Sequence, residues 1–257
     1  MSWSAPDVSP DGVVAALEKR ARLLRMLADG PMDKPALRDA LEVSRSTVYK
    51  ALRELEELGL VHRVDDGYAL TQFCRLARRK HDEFRATVGR LCDATDVLAA
   101  VPDGCLLPVS FVERGRVVGA TRHAPERPMA AYESVATDAG RMRVLSGVAM
   151  PRYLPRLHER VVECRDLAVD LVVTEAASEY LESYDEFHAL QATDDFRAFR
   201  TGREVPFGLT VFDDRGAALA AHTDQGSVRG LLLSDAPASV AWSEHVFREF
   251  RDSATMA

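Results

Sequence analysis

The stretch from Ser44 to Thr71 restricts the fold more than any other part of the chain. Ser44 is a natural helix N-cap, because its hydroxyl can take up a backbone N–H that the first turn leaves unpaired. The spacing predicts a helix from there to about Leu58, with Gly59 as its stop. Residues 60–64 and 68–71 are two short β-prone runs on either side of Asp65-Asp66-Gly67, so they read as a hairpin. Upstream, Val13, Ala16, Leu17, Leu23, Leu24 and Leu27 recur close to helical spacing, and Asp29-Gly30-Pro31 ends that helix. Residues 35–41 form a second, short helix with Pro35 near its first turn, and Glu42-Val43 is a tight connection. The order is helix, helix, turn, helix, hairpin.

The helix after Ser44 has two faces. At about 100° per residue, Val48, Ala51, Leu52 and Leu55 share one side, while Ser46, Tyr49, Lys50 and Arg53 fall on or near the other. An α-helix fits the major groove of B-DNA, with its N-terminal half meeting the bases and the phosphates beside them. Arg45, Ser46, Thr47 and Tyr49 occupy that half, and Lys50 and Arg53 stand where phosphate or guanine contacts are made. The chain contains no Asn, so an Asn–adenine pair is closed to it. Phosphates would repel the hairpin tip, Asp65-Asp66. His62 and Arg63 on the hairpin stem are therefore expected to approach the DNA backbone, with the tip held off the groove.

The Ser-rich start at 44–47, then Val48-Tyr49-Lys50-Ala51-Leu52, then Leu55-Glu56-Glu57-Leu58-Gly59-Leu60-Val61, resemble the winged helix-turn-helix domain of archaeal and bacterial transcription regulators. That resemblance implies double-stranded DNA as partner, with an operator that is an inverted repeat read by a homodimer. Residues 71–100 then read as one long helix. Ala77, Phe84, Leu91 and Leu98 recur every seven residues, and His81, Val88 and Thr95 fall four after each of the first three. Such a heptad seam serves packing on the protein's own body or pairing with a second copy. The expectation is a dimer, the usual arrangement for such regulators. Arg75, Arg78, Arg79 and Lys80 cluster near the start of this helix and are expected to be solvated.

Charge follows the same division. Residues 1–90 hold 16 Lys and Arg against 14 Asp and Glu, whereas residues 91–257 hold 17 against 26. The first part can approach a polyanion and the second would avoid one. Pro102-Asp103-Gly104 marks a boundary. The expected domains are residues 1–71, a winged helix-turn-helix; 72–101, a linking and dimerising helix; and 102–257, a signal-receiving domain. In the last, residues 116–120, 143–147 and 168–174 read as strands, with helices at 128–139 and 153–162 and a third running to Tyr180. Residues 207–212 and 217–222 form a hairpin across Asp213-Asp214-Arg215-Gly216, residues 228–233 a further strand, and residues 237–252 a closing helix. The fold class is α+β with α/β character: the N-terminal helices and hairpin, a long connecting helix, and a mixed sheet with helices on its faces.

Pro206-Phe207-Gly208-Leu209, the Asp213-Asp214 hairpin, Leu231-Leu232-Leu233-Ser234, Ala241-Trp242-Ser243-Glu244 and Phe247-Arg248-Glu249-Phe250-Arg251 resemble the methanogenesis-regulator middle-domain family. The resemblance implies a fused DNA-binding and signal-receiving protein from an archaeon, and a halophilic one fits the scarcity of lysine. Only four Lys accompany 29 Arg, and none follows position 80. A P-loop lysine, a Schiff-base lysine and the HxK motif of phospholipase D-type enzymes are thus excluded from the C-terminal two thirds. No GxSxG, HExxH or GxGxxG occurs, and no Cys/His cluster has metal spacing. The expectation is no enzyme, no cofactor and no metal. The four cysteines read as small buried hydrophobes. No apolar run approaches the ~20 residues needed to span a bilayer, and the first residues carry no Lys or Arg, so a cytoplasmic protein away from membranes is expected.

Two functions from different classes remain: a regulator whose C-terminal domain senses a small molecule or other signal, and a constitutive DNA-binding factor whose second domain recruits proteins. For the first, ligands sit outside the carboxyl ends of parallel strands. Ser146 and Thr174 would lie there, joined by His222 and Asp224 from a later loop, with Arg200 or Arg203 available for an anion. That set suits a small polar organic ligand.

Overall fold

The computed structural model describes residues 8–223 and 225–257. The chain forms two compact units, Met1–Ala86 and Thr87–Ala257. The expected boundaries were at 71 and 101; the contacts instead divide inside the long helix.

In the first unit, α1 (Pro10–Lys19) and α2 (Ala21–Asp29) replace the single helix expected over residues 13–27. The chain leaves helical geometry at Arg20, with φ −107° and ψ 17°. Neither Gly nor Pro marks the break. The guanidinium of Arg20 donates to Glu54 at 2.5 and 3.0 Å, a contact from outside the helix pair. α3 (Lys34–Leu41) is N-capped by Asp33, whose carboxylate accepts from the Ala36 N–H at 2.8 Å. Glu42 turns the chain in the left-handed region, φ 56°, and α4 (Arg45–Glu57) follows. Gly59, at φ 66°, ends it. β1 (Val61–Val64) pairs antiparallel with β2 (Gly67–Leu70) across Asp65-Asp66. Met32 adds a bridge to Tyr68, with mutual N–H···O bonds of 2.9 and 3.1 Å. Gly67 is required at this join: its φ is +126°, and a Cβ there would stand 2.4 Å from the Met32 carbonyl oxygen. Leu24, Leu27, Leu37, Leu52, Leu55 and Leu60 fill the core. α5 (Gln72–Asp93) starts from Thr71, whose hydroxyl donates to the Gly59 carbonyl and accepts from the Cys74 N–H.

The long helix ends earlier than expected. Ala94 leaves helical geometry at φ −90°, ψ 0°, before the short α6 (Thr95–Leu98) and then α7 (Ser110–Glu113). β3 (Arg116–Gly119), α8 (Arg127–Ala136) and β4 (Arg141–Ser146) come next. The helix expected over 153–162 is three pieces: a 3-10 turn at Pro151–Tyr153, α9 (Leu154–His158), and a π-helical segment at Glu159–Cys164. β5 (Ala168–Thr174) leads to α10 (Glu175–Leu181) and α11 (Asp185–Gln191), then β6 (Phe196–Thr201). β7 (Gly208–Phe212), β8 (Gly216–His222) and β9 (Val228–Ser234) follow as a meander, then α12 (Pro237–Asp252) and the two-residue β10 (Thr255–Met256).

The second unit is thus built on one mixed sheet in the order β10-β6-β5-β4-β7-β8-β9-β3, as the expected fold class requires. β4, β5 and β6 are mutually parallel and the remaining pairs antiparallel. The sheet has two cores. Met142, Val169, Phe196, Ala218 and Leu231 face one, together with Leu154, Phe187 and Leu190 from the helices. Leu145, Val172, Val211, Leu219 and Leu232 face the other, covered by Val240, Phe247 and Phe250 of α12. The Asp213-Asp214 hairpin is structural. Both residues are left-handed, at φ 48° and 57°. The Asp213 carboxylate takes the N–H groups of Gly140 and Arg141, and Asp214 shares the Arg143 guanidinium with Glu244 of α12. Of the cysteines only Cys74 is buried, and burial pushes its thiol up to about 11; Cys92 and Cys164 are exposed, against the expectation of four buried hydrophobes. Among the described residues no helix is long and apolar enough to cross a membrane.

Candidate nucleic-acid interface and ligand cavity

The polar face of α4 begins at its cap. Ser44 is extended, and its hydroxyl accepts from the Thr47 N–H at 3.1 Å. The hydroxyls of Ser46 and Thr47 each lie 2.8 Å from Ser44 Oγ, so all three are tied into the cap. Val48, Ala51, Leu52 and Leu55 are buried. Arg45, Ser46, Thr47, Tyr49, Lys50 and Arg53 are all exposed, Ser46, Tyr49, Lys50 and Arg53 opposite the buried side and Arg45 and Thr47 at the flanks of the first turn. The division of the helix into these two faces follows from the sequence, because a 3.6-residue period fixes which side chains oppose a buried one.

The charges on the stripe differ in availability. Arg53 donates to Glu57 one turn on, at 2.8 Å, and this contact raises its pKa. Among the described residues Arg45 and Lys50 have no acidic partner, so both cations face solvent. Tyr49 is 54% exposed and carries the ammonium of Lys34 over its ring, 3.7 Å from the centroid. Lys34 also lies 5.5 Å from the Tyr68 ring, and the Arg63 guanidinium 5.9 Å from it. Lys34, Tyr49, Tyr68 and Arg63 thus run from the start of α3 across α4 to the hairpin. Two aromatic faces hold two cations in place. Lys34 was missed from sequence because it precedes a proline at a helix start and has no periodic signal. His62 and Arg63 are exposed on the hairpin stem, and Asp65 and Asp66 are exposed at its tip.

The second candidate site does not assemble as expected. Ser146 and His222 line one cavity. Thr174 does not: its hydroxyl N-caps α10 and donates to the Gly147 carbonyl, both at 3.4 Å. Arg200 and Arg203 belong to different surroundings. Arg200 donates to Glu182 at 2.6 Å, whereas Arg203 stacks on Phe250 of α12 at 4.0 Å. Asp224 lies outside the described residues. Thr174, Arg200 and Arg203 do not meet at one site, because each makes contacts in its own part of the fold.

The cavity that Ser146 and His222 do reach is about 180 Å³ and mostly apolar. Val144 and Ser146 of β4, Thr210 of β7 and Ala220 and His222 of β8 form its floor, with Tyr132 of α8 and Leu157 of α9 opposite. Tyr132 Oη and Thr210 Oγ1 are 3.1 Å apart. Burial pushes the Tyr132 hydroxyl up to about 12, although the bond to Thr210 opposes that. Burial also lowers the pKa of His222, which keeps the imidazole neutral at pH 7. A largely apolar cavity does not fit the small polar ligand inferred from strand ends. Among the described residues no group of three or more His, Cys, Asp or Glu could hold a metal ion.

Residues 125–253 match the family model of the methanogenesis regulatory protein FilR1, middle domain. Residues 12–91 match a second model, the HVO_A0261 N-terminal domain. No curated protein matches the chain. Among solved structures, TrmBL2, an archaeal chromatin protein with a described mode of DNA binding, is similar at 14% identity and a TM-score of 0.45, over 97% of this chain and 100% of its own. NucT from Helicobacter pylori is similar at 10% identity and a TM-score of 0.45, over 56% of this chain and 99% of its own. Nuc from Salmonella typhimurium, a phospholipase D family member, is similar at 11% identity and a TM-score of 0.43, over the same shares. At these values none of the three structures bears on what this chain does.

Proposed function

We propose that this chain, which belongs to the family of the methanogenesis regulatory protein FilR1 middle domain, is a sequence-specific DNA-binding transcription regulator. Its second unit receives a signal, and the protein is no enzyme. The observation that carries the DNA-binding part is the outer face of α4. Arg45, Ser46, Thr47, Tyr49, Lys50 and Arg53 stand together on a helix whose other side is core, beside a hairpin bearing His62 and Arg63. Such a helix enters the major groove, and the cations beside it hold the flanking phosphates. Lys34, held over Tyr49, extends the same surface. The helix–turn–helix and hairpin together act as a winged helix-turn-helix domain.

The working form is a homodimer. Phe73, Leu76, Phe84 and Val88 are all exposed and lie within one side of α5. Water-facing aromatic and aliphatic groups in a stripe favour pairing with an identical stripe. Part of the expected heptad seam does not contribute: Ala77 packs on the first unit's core, and the His81 side chain is only 10% exposed, 3.6 Å from Glu18. A dimer would read an operator that is an inverted repeat, its half-sites about 34 Å apart.

The test is selection of bound sequences from random duplexes with the full chain, followed by fluorescence anisotropy on the selected site. Lys50→Ala should weaken binding tenfold or more and reduce the slope of log K against log salt by ~0.9 per protomer. The reading fails if selection enriches no sequence, or if Lys50→Ala leaves both affinity and slope unchanged.

A further inference from the structure

The cavity in the second unit exists because one part of the sheet carries small side chains. Alternation along β8 sends Ala218 and Ala220 to the α8 and α9 side, and β7 presents Gly208 beside them. Val144, Leu171 and Ala220 lie in the middle of the sheet yet are only half-buried, so empty space meets them where helix side chains would otherwise press. An apolar cavity of about 150 Å³ accepts benzene. The present one, at about 180 Å³, leaves room for roughly two more heavy atoms, given ~10–15 Å³ of such volume for a water.

The wall offers two polar features, the His222 imidazole and the Tyr132–Thr210 hydroxyl pair. Tyr132 and Thr210 share a single hydrogen bond of 3.1 Å. Two hydroxyls bring two protons, and one bond uses one of them. Among the described residues neither hydroxyl makes a second hydrogen bond, so one O–H is left for an acceptor inside the cavity. The nearby guanidiniums are already committed. Arg156 holds Thr137 at 2.7 Å and Glu133 at 3.6 Å, and Arg160 holds the carbonyls of Ala136 and Ala139 together with Asp166. No uncommitted cation is left among the described lining residues to receive an anion.

We propose that this cavity is the signal site of the second unit, and that it takes a neutral molecule about one aromatic ring in size bearing one hydrogen-bond-accepting oxygen, of the phenol or benzaldehyde class. This rests on the reading of the chain as a signal-receiving regulator. It replaces the polar ligand inferred from sequence, because the volume, the apolar lining and the spare hydroxyl proton select a different chemistry. Ring faces would lie on Val144 and Leu157, and the oxygen would accept from the Tyr132–Thr210 pair.

The experiment is thermal unfolding of the full chain with phenol, benzaldehyde, benzene and benzoate as probes. Binding to the selected DNA site is measured on the same preparations. Phenol and benzaldehyde should raise the melting temperature of the second unit by ~5–10 °C at 100 times their dissociation constants. Benzene should raise it less, and benzoate should leave it unchanged. The double variant Tyr132→Phe, Thr210→Val removes both hydroxyls at nearly constant volume, so phenol should lose its advantage over benzene; either single variant still leaves one unshared O–H. Ala220→Leu fills the space and should abolish every shift; Ala218→Val serves the same purpose if that variant does not fold. The proposal is overturned if neither phenol nor benzaldehyde raises the melting temperature, or if the cavity-filled variant responds as the wild type does. Loss of DNA binding would count against the regulator reading alone, since the melting shifts are read without DNA.

Discussion

Asp170 provides the sharpest test of how the second unit is held together. It sits on β5 with its side chain 4% exposed, opposite Arg143 of β4 and Arg197 of β6 in register. Its carboxylate accepts from Arg197 Nε at 2.6 Å and from Arg141 Nη2 at 3.1 Å. Burial alone would raise its pKa; the two arginine contacts outweigh that and hold it below the ordinary value of 3.8. Two hydrogen bonds to charged groups contribute ~1.5–3 kcal/mol each. Both guanidiniums are about half exposed, at 47% and 49%, and would rehydrate if the carboxylate were lost. Halving the sum for that screening gives ~1.5–3 kcal/mol for Asp170→Asn. The pH dependence has a definite sign. A carboxylate whose folded pKa is depressed stabilises the fold above its unfolded pKa, and that contribution is lost as pH falls through the folded value. As pH falls below the folded value, which lies under 3.8, the protonated Asp170 carboxyl and the uncharged amide of the Asp170→Asn variant become electrostatically alike. Urea unfolding of both proteins at pH 7, 5, 4, 3 and 2.5 should therefore show a stability gap that is constant down to about pH 5 and narrows progressively below about pH 4. A gap under about 0.5 kcal/mol at pH 7, or one that stays constant to pH 2.5, would refute this account of the strand network.

Two further outcomes follow from the first unit and from α5. Gly67→Ala should destabilise the first unit by at least ~2 kcal/mol, because the new Cβ meets the Met32 backbone at 2.4 Å and φ +126° is outside the range of L residues; chemical denaturation followed by far-UV circular dichroism reads this, and a loss below 0.5 kcal/mol contradicts it. Phe84→Asp should convert the dimer to monomer without unfolding it, as judged by sedimentation at tens of micromolar, since Phe84 is 66% exposed; a variant that stays dimeric removes α5 as the interface.

Some of this architecture could be read directly from residues and some could not, and the division is physical. α4 was legible because its cap, its periodic apolar face and its glycine stop are all local signals: Ser44, then Val48, Leu52 and Leu55, then Gly59. The break at Arg20 was not, since it coincides with a pairing to Glu54 in another helix. β6 was not, since Phe196-Arg197-Ala198-Phe199-Arg200-Thr201 looks too polar for a strand until Asp170 is found beside Arg197. The same distinction explains the ligand site. Of the residues chosen for being polar, Thr174 caps α10, Arg203 stacks on Phe250, and Arg200 pairs with Glu182 through Nη2, its buried Nε having no partner among the described residues. A cavity arises where side chains are missing, and Gly208, Ala218 and Ala220 carry no sign in sequence that a helix fails to fill the space above them. What distinguishes a candidate site is therefore polarity that the fold leaves unspent. Among the described residues Arg45 and Lys50 on α4 meet that condition, and in the cavity so do the His222 imidazole and the one hydroxyl proton that the Tyr132–Thr210 bond does not use.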